Sequence, residues 1–188
     1  LATEQELSDF LTSVEKRAFK RSLYHVRDEE AALDIVQDSM MKLCEHYSNK
    51  SATELPMLFQ RILSNTTLDW FRRQKTKNAL FSNFNEFENE AQGDDFDFLE
   101  INTASDSVAQ SESAEMVLTQ AQNVAEIEEE IKKLPPRQRE AFLLRYWEEL
   151  DVSETAAAMG CSVGSVKTHC SRAVQALYSA LKAKGLHP

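Results

Sequence analysis

Asp151-Val152-Ser153-Glu154-Thr155-Ala156-Ala157-Ala158-Met159-Gly160-Cys161-Ser162-Val163-Gly164-Ser165-Val166-Lys167-Thr168-His169-Cys170-Ser171-Arg172-Ala173 carries two helix starts and one helix stop in fixed order. Asp151 stands three residues before Glu154. In that pairing the cap side chain accepts from the backbone, and the glutamate reaches back to the cap's own N–H. A short helix is therefore predicted from this point. Ala156 and Ala157 are small, as two closely crossing helices require. Gly160 is free to take the left-handed conformation that stops a helix, and Ser162 predicts the cap of a second one. Short helix, glycine turn and capped second helix make a helix-turn-helix, the unit that lays its second helix in the major groove.

On that second helix Val163, Val166 and Val174 are expected to face inward, leaving Ser165, Lys167, Thr168, Ser171 and Arg172 outward. Lys and Arg suit phosphate oxygens and guanine edges, while Ser and Thr suit either. A plain helical hairpin with a solvated polar face shows the same pattern, so the motif alone leaves both readings open. His169 has no second ligand at a metal-binding spacing, and no metal is expected.

Upstream of the motif, Pro135-Pro136 marks a boundary, since the residue before proline avoids helix and proline itself fits a first turn. A helix is predicted from about Pro136 to Glu149, with Ala141, Phe142, Leu144 and Tyr146 as burial candidates.

A net charge of −10 argues against a nucleic-acid binder until its distribution is read. Residues 1–80 hold 12 acids and 12 bases, and residues 126–188 hold nine of each. Residues 81–125 hold ten acids and no Lys or Arg, so the whole net charge lies in one segment. That segment is expected to be an acidic linker. Its Phe81, Phe84, Phe87, Phe96 and Phe98 are more apolar than a spacer needs, which points to docking on a partner.

Residues 1–80 read as helices. Leu7, Phe10, Leu11, Val14, Ala18 and Leu23 form one apolar stripe. A second helix opens at Arg27-Asp28-Glu29-Glu30, with acids where the dipole favours them, and its stripe includes Ala32, Ile35, Val36, Met40 and Leu43. Asp34, Gln37 and Asp38 share one face at spacings of three and four. A third helix runs from about Pro56 to Gln74. Its end carries Trp70 and Phe71 beside Arg61, Arg72, Arg73, Lys75 and Lys77: stacking surfaces for unpaired bases next to cations for the backbone. Phe71 is assigned to the core, whereas Trp70 reads equally as core or as a stacking surface. Asn65 and Asp69 share a face and suit a base edge or each other.

Other classes are poorly supported. The four histidines (His25, His46, His169, His187) lie in no catalytic constellation, and no Gly-rich phosphate loop exists, so no enzyme activity and no cofactor is expected. Cys44, Cys161 and Cys170 form no CxxC pair and fit a reducing compartment. No apolar run approaches the roughly 20 residues that span a bilayer, and no signal peptide is visible. A cytoplasmic location without membrane insertion is expected.

Three segments carry a resemblance. Leu134-Pro135-Pro136-Arg137-Gln138-Arg139-Glu140-Ala141-Phe142, followed by the helix-turn-helix, resembles the fourth conserved region of bacterial sigma factors. Cys170 stands where a larger aliphatic residue is usual in that family, and Glu149 where Gly is frequent. Ala32-Leu33-Asp34-Ile35-Val36-Gln37-Asp38-Ser39-Met40-Met41-Lys42-Leu43 is similar to the family's second region, and Arg61–Gln74 to its promoter-melting helix. By these matches the chain resembles a sigma-70-family factor of the extracytoplasmic-function type.

The resemblance implies an all-α protein with a region 2-like domain (1–80), an acidic linker (81–125) and a region 4-like domain (126–188). It implies core RNA polymerase as partner, with Asp34, Gln37, Asp38 and Leu43 on the clamp and the last domain on the flap. It implies minus-ten DNA at Arg61, Asn65, Asp69, Trp70, Arg72 and Arg73, and minus-thirty-five DNA at Ser165, Lys167, Thr168, Ser171 and Arg172. An anti-sigma factor is a further implied partner. The alternative is a free-standing helix-turn-helix regulator, which would have no need of the promoter-melting helix.

Overall fold

A computed structural model describes residues 1–79 and 114–186. Among them every regular element is a helix. The N-terminal half contains α1 (Glu4–Val26), α2 (Glu29–Tyr47) and α3 (Leu55–Ala79). The C-terminal half contains α4 (Ala114–Lys133), α5 (Pro136–Phe142), a π-helical turn (Leu143–Trp147), α6 (Val152–Met159) and α7 (Val163–Ala183). No described helix is long and apolar enough to cross a membrane.

Local chemistry sets the ends. Thr3 and Glu6 form a reciprocal capping box at the start of α1, which satisfies donors that a helix N-terminus leaves orphaned. Arg27 ends α1 in the left-handed region (φ 56°). Asp28 then caps α2 by accepting from the Ala31 N–H at 2.7 Å. That pair of residues turns the chain back with no loop between the two helices.

The first core lies among α1, α2 and α3, where Ala32, Val36, Leu43, Phe59 and Leu63 are at most 1% exposed. Phe10 meets Phe59 edge to face at 5.9 Å, the arrangement favoured by the ring quadrupole. In the C-terminal half Ala141, Leu144, Ala158 and Val166 form the centre of the helix-turn-helix.

The halves are packed together. Tyr24 of α1 sits in a cluster with Ile131, Leu134, Leu143 and Leu177, and Met57 of α3 packs against the helix-turn-helix core. Helix α3 contacts α6, and α1 contacts α4 and α5.

Several expectations change. Residues 114–125, assigned to the linker on charge, belong to α4; charge balance reports composition, and a helix tolerates Glu and Gln as readily as Lys. The remainder of the expected linker, 81–113, lies outside the described residues, as do the phenylalanines within it. The helix predicted from Pro136 to Glu149 changes to a π turn after Phe142. That turn buries Leu143, 1% exposed, and leaves Tyr146 52% exposed. Val163 is also exposed, because the first turn of α7 projects beyond the crossing with α6, and Ala157 lies on the solvent side of α6.

Candidate nucleic-acid and partner interface

The helix-turn-helix is built as its caps dictate. Asp151 and Glu154 close the capping box, with both bonds at 2.8 Å. Gly160 ends α6 at φ 65°. Ser162 accepts from the Ser165 N–H at 3.1 Å to start α7. The Arg137 guanidinium donates to the Met159 carbonyl at 3.1 Å, satisfying a free acceptor at the end of α6. Val166 is fully buried and fixes the rotation of α7.

That rotation leaves Lys167 exposed and Ser165, Thr168, Ser171 and Arg172 half-buried along one side. Thr168 donates its hydroxyl proton to the Gly164 carbonyl at 3.1 Å, and the Ser162 and Ser165 hydroxyls lie 2.9 Å apart. The two hydroxyls are thereby pre-oriented, and their oxygens remain available as acceptors. Burial raises the Cys170 thiol to about 11, so it sits in the helix as a small apolar group.

A second surface lies between α2 and α3. Asp34 and Gln37 are exposed, and Asp38 is half-buried with Lys42 at 2.7 Å. Lys42 also donates to the Thr66 hydroxyl at 3.3 Å, tying α2 to α3. A groove of about 360 Å³ runs here, lined by Asp28, Glu30, Asp34, Asp38, Trp70 and Arg73 among others. Residues expected to serve two different partners therefore share one groove. Leu43, expected at the polymerase contact, is 0% exposed and belongs to the core. It lies on the stripe of Ala32, Ile35 and Val36, which faces away from Asp34 and Gln37.

On α3, Arg61, Asn65, Arg72 and Arg73 are exposed, and Asp69 and Trp70 are half-buried. Asp69 accepts from Arg72 at 3.1 Å instead of pairing with Asn65. Trp70 packs partly on the first core and partly lines the groove, and meets Phe71 edge-on at 5.1 Å. Phe71, assigned to the core, is only half-buried, with its ring edge-on to His25 at 6.4 Å.

The largest feature missed from sequence lies between the halves. Arg21 is 1% exposed and donates to Gln60, to Ser64 at 3.1 Å and to Glu140 at 3.3 Å. His25 Nε2 lies 2.7 Å from Glu140 Oε2. Burial opposes the charge on Glu140, yet His25, Arg21 and the Ser64 hydroxyl outweigh it and hold the carboxyl well below the usual range. Burial is also the main influence on His25. Arg139 and Arg21 add to it, and the imidazole is depressed despite Glu140. Around this centre Arg17 bonds Glu148 at 3.1 Å, Lys20 bonds Glu128 at 3.0 Å, and both cations lie over the Trp147 ring.

Arg139 forms the neighbouring brace. Its guanidinium donates to the carbonyls of Ile131, Lys132 and Leu134 and, across the halves, to His25 at 2.9 Å. It thus caps the C-termini of α1 and α4 together, where a cation complements the helix dipoles. Burial lowers it to about 10, which leaves it charged at neutral pH. A signal for the cluster did exist. The α1 stripe of Leu7, Leu11, Val14 and Ala18 continues at the same spacing through Arg21 and His25, so polar residues occupy a buried face.

Comparison with known proteins gives a consistent picture. A family model described as Sigma-70, region 4 matches residues 125–177. The chain is 24% identical over 182 residues to an RNA polymerase sigma-E factor of Streptomyces avermitilis, covering 96% of this chain and 88% of the other. It is 23% identical over 174 residues to the RNA polymerase sigma factor SigV of Bacillus subtilis, covering 92% and 89%. Among solved structures, the sigma factor RpoE of Bartonella quintana, crystallised with the anti-sigma factor NepR, superposes with a TM-score of 0.62. That match has 24% identity and covers 95% of this chain and 96% of the other.

Proposed function

We infer that this chain, a sigma factor of the extracytoplasmic-function type, binds core RNA polymerase and directs transcription initiation from specific promoters. The observation that carries the inference is a capped helix-turn-helix, inside the segment that matches sigma-70 region 4, in a chain whose near-full length aligns with sigma factors.

The division of labour follows from the chemistry of each surface. Residues 126–188 form the minus-thirty-five reader: α7 enters the major groove, Lys167 and Arg172 take phosphates or guanine edges, and Ser165, Thr168 and Ser171 offer hydroxyls. Residues 1–80 form the polymerase-binding and minus-ten domain. Asp34, Gln37 and Asp38 meet the polymerase clamp. Arg61, Asn65, Arg72 and Arg73 hold the opened strand, and the free part of Trp70 stacks on a base. Asp69 acts through Arg72, whose position it fixes. Residues 81–113 connect the domains and carry nine of the ten acids of the acidic stretch. Polymerase supplies all the catalysis.

Both domains are close to neutral, which limits free DNA binding because phosphate affinity needs local positive charge. An anti-sigma factor is a fitting partner, since the Bartonella relative was crystallised with one. A free-standing regulator would leave the α2–α3 groove without a role.

Run-off transcription with purified core polymerase tests this reading. The chain should confer promoter-specific transcripts that are lost on Asp34→Ala/Asp38→Ala and on Arg73→Ala. Retention of a DNA fragment by the isolated chain, with no binding to core, would move the assignment to the free-standing regulator.

A further inference from the structure

We propose that Lys42 is a positioning residue for promoter opening: its ammonium holds Asp38 on α2 and Thr66 on α3 together, and so keeps the clamp-facing acids in register with the Trp70–Arg73 edge of the groove. The proposal rests on the sigma reading above and adds a residue that acts through others.

The two rows follow from helical spacing. Asp34, Asp38 and Lys42 recur every four residues on α2, and Thr66, Trp70 and Arg73 recur at steps of four and three on α3. The fold brings Asp34, Asp38, Thr66, Trp70 and Arg73 to one groove, and Lys42 follows one turn after Asp38. Its ammonium lies 2.7 Å from an Asp38 carboxylate oxygen and donates to Thr66 Oγ1 at 3.3 Å. Among the described residues this is the one hydrogen bond that joins α2 to α3. Thr67, the next residue, turns its hydroxyl back to the Leu63 carbonyl at 2.8 Å and makes no such tie.

The core between the helices, with Ile35, Val36, Phe59 and Leu63, holds them together. Apolar burial is non-directional, however, whereas a hydrogen bond fixes a distance and an angle. Thr66 is 6% exposed, so its oxygen receives Lys42 with little competition from water and is poorly placed to touch DNA. The partly exposed Lys42–Asp38 pair contributes little to stability. What it supplies is orientation. Lys42 also answers the charge of Asp38, so its removal leaves the clamp-facing surface with one more free acid.

Holoenzyme formed with purified core polymerase tests the role through two readouts. One is core affinity; the other is permanganate reactivity of unpaired minus-ten thymines, on a promoter found by run-off transcription. Lys42→Met keeps the aliphatic stem and loses both polar contacts. Thr66→Val keeps nearly the same shape and loses only the tie to α2. Each should slow the rise of permanganate reactivity about ten-fold, since small displacements of positioned groups are amplified in rate. Core affinity should stay within about five-fold of wild type, the range of an exposed ion pair. Thr66→Ser keeps the hydroxyl and should open the promoter at the wild-type rate. Lys42→Met/Thr66→Val should be no slower than either single change, because both remove one interaction. Wild-type opening in both single variants, equal losses of core affinity and opening, or additive losses in the pair overturns the positioning role alone. A wild-type chain that neither binds core nor opens a promoter overturns the sigma reading, and the role with it.

Discussion

Arg21 and Glu140 meet at 3.3 Å with side chains 1% and 6% exposed, across 119 positions of sequence. Neither charge has water to fall back on. Removing one partner from such a pair costs about 3–5 kcal/mol, because the survivor stays buried and uncompensated. Glu140→Gln should therefore lower unfolding stability by about that amount in denaturant titration. Arg21→Met/Glu140→Leu should cost clearly less than the two single changes summed. Simple additivity would show that the pair is not coupled.

The same cluster sets a pH dependence. His25 is faced by Arg21 on α1, by Glu140 and Arg139 on α5, and by the Phe71 edge on α3. A second proton on its buried Nδ1 would find no acceptor among the described residues. Its folded pKa lies below 6.5, so the unfolded chain binds more protons as pH falls through 6.5 toward the folded value, and stability drops there. The contribution of His25 to folding stability should thus be greatest above about pH 6.5. Denaturant midpoints at pH 8 and pH 5.5 should differ in wild type and differ less in His25→Gln. An equal pH response in both would remove His25 as the cause.

Glu149 has φ 57°, in the left-handed region, two residues after the π turn ends at Trp147. A side chain there costs about 1–2 kcal/mol, part of which glycine gives back as entropy in the unfolded chain. Glu149→Gly should stabilise the protein by about 0.5–1 kcal/mol in thermal or denaturant melts. Loss of stability would mean that the Glu149 side chain makes a contact worth more than the strain. Gly160→Ala should do the opposite and cost about 1 kcal/mol, all of it backbone strain, since a Cβ there meets nothing within 4 Å.

Leu43 and Asp34 separate stability from binding within one helix. Leu43→Ala should cost about 2–5 kcal/mol, as for other fully buried leucines. Asp34→Ala is exposed and should stay within about 0.5 kcal/mol of wild type. In polymerase pull-downs at a temperature where both chains are folded, Asp34→Ala should weaken binding and Leu43→Ala should not. The reverse pattern would place the contact elsewhere.

Much of the local structure was legible because its causes are local. Asp151 with Glu154, Gly160 and Ser162 specify their helix ends through side-chain and backbone groups a few residues apart, and the structure has each of them. The core of α2 followed from helical spacing for the same reason. Leu43 was misread as a contact because the resemblance was carried over as a block; its own position in the stripe already pointed inward. The π turn was illegible, since it depends on burying Leu143 beside Tyr24, a residue from the other end of the chain.

The sequence by itself determined most of the helices, the caps of the helix-turn-helix and the family resemblance. Each rests on spacings of three or four residues or on motif order. Only the tertiary structure decided that Asp38 and Arg73 share a groove, and that Arg21, His25 and Glu140 close the two halves on one another. Both depend on which surfaces exclude water together. A buried charge is tolerated only where a distant partner arrives to meet it, and no local pattern encodes that arrival.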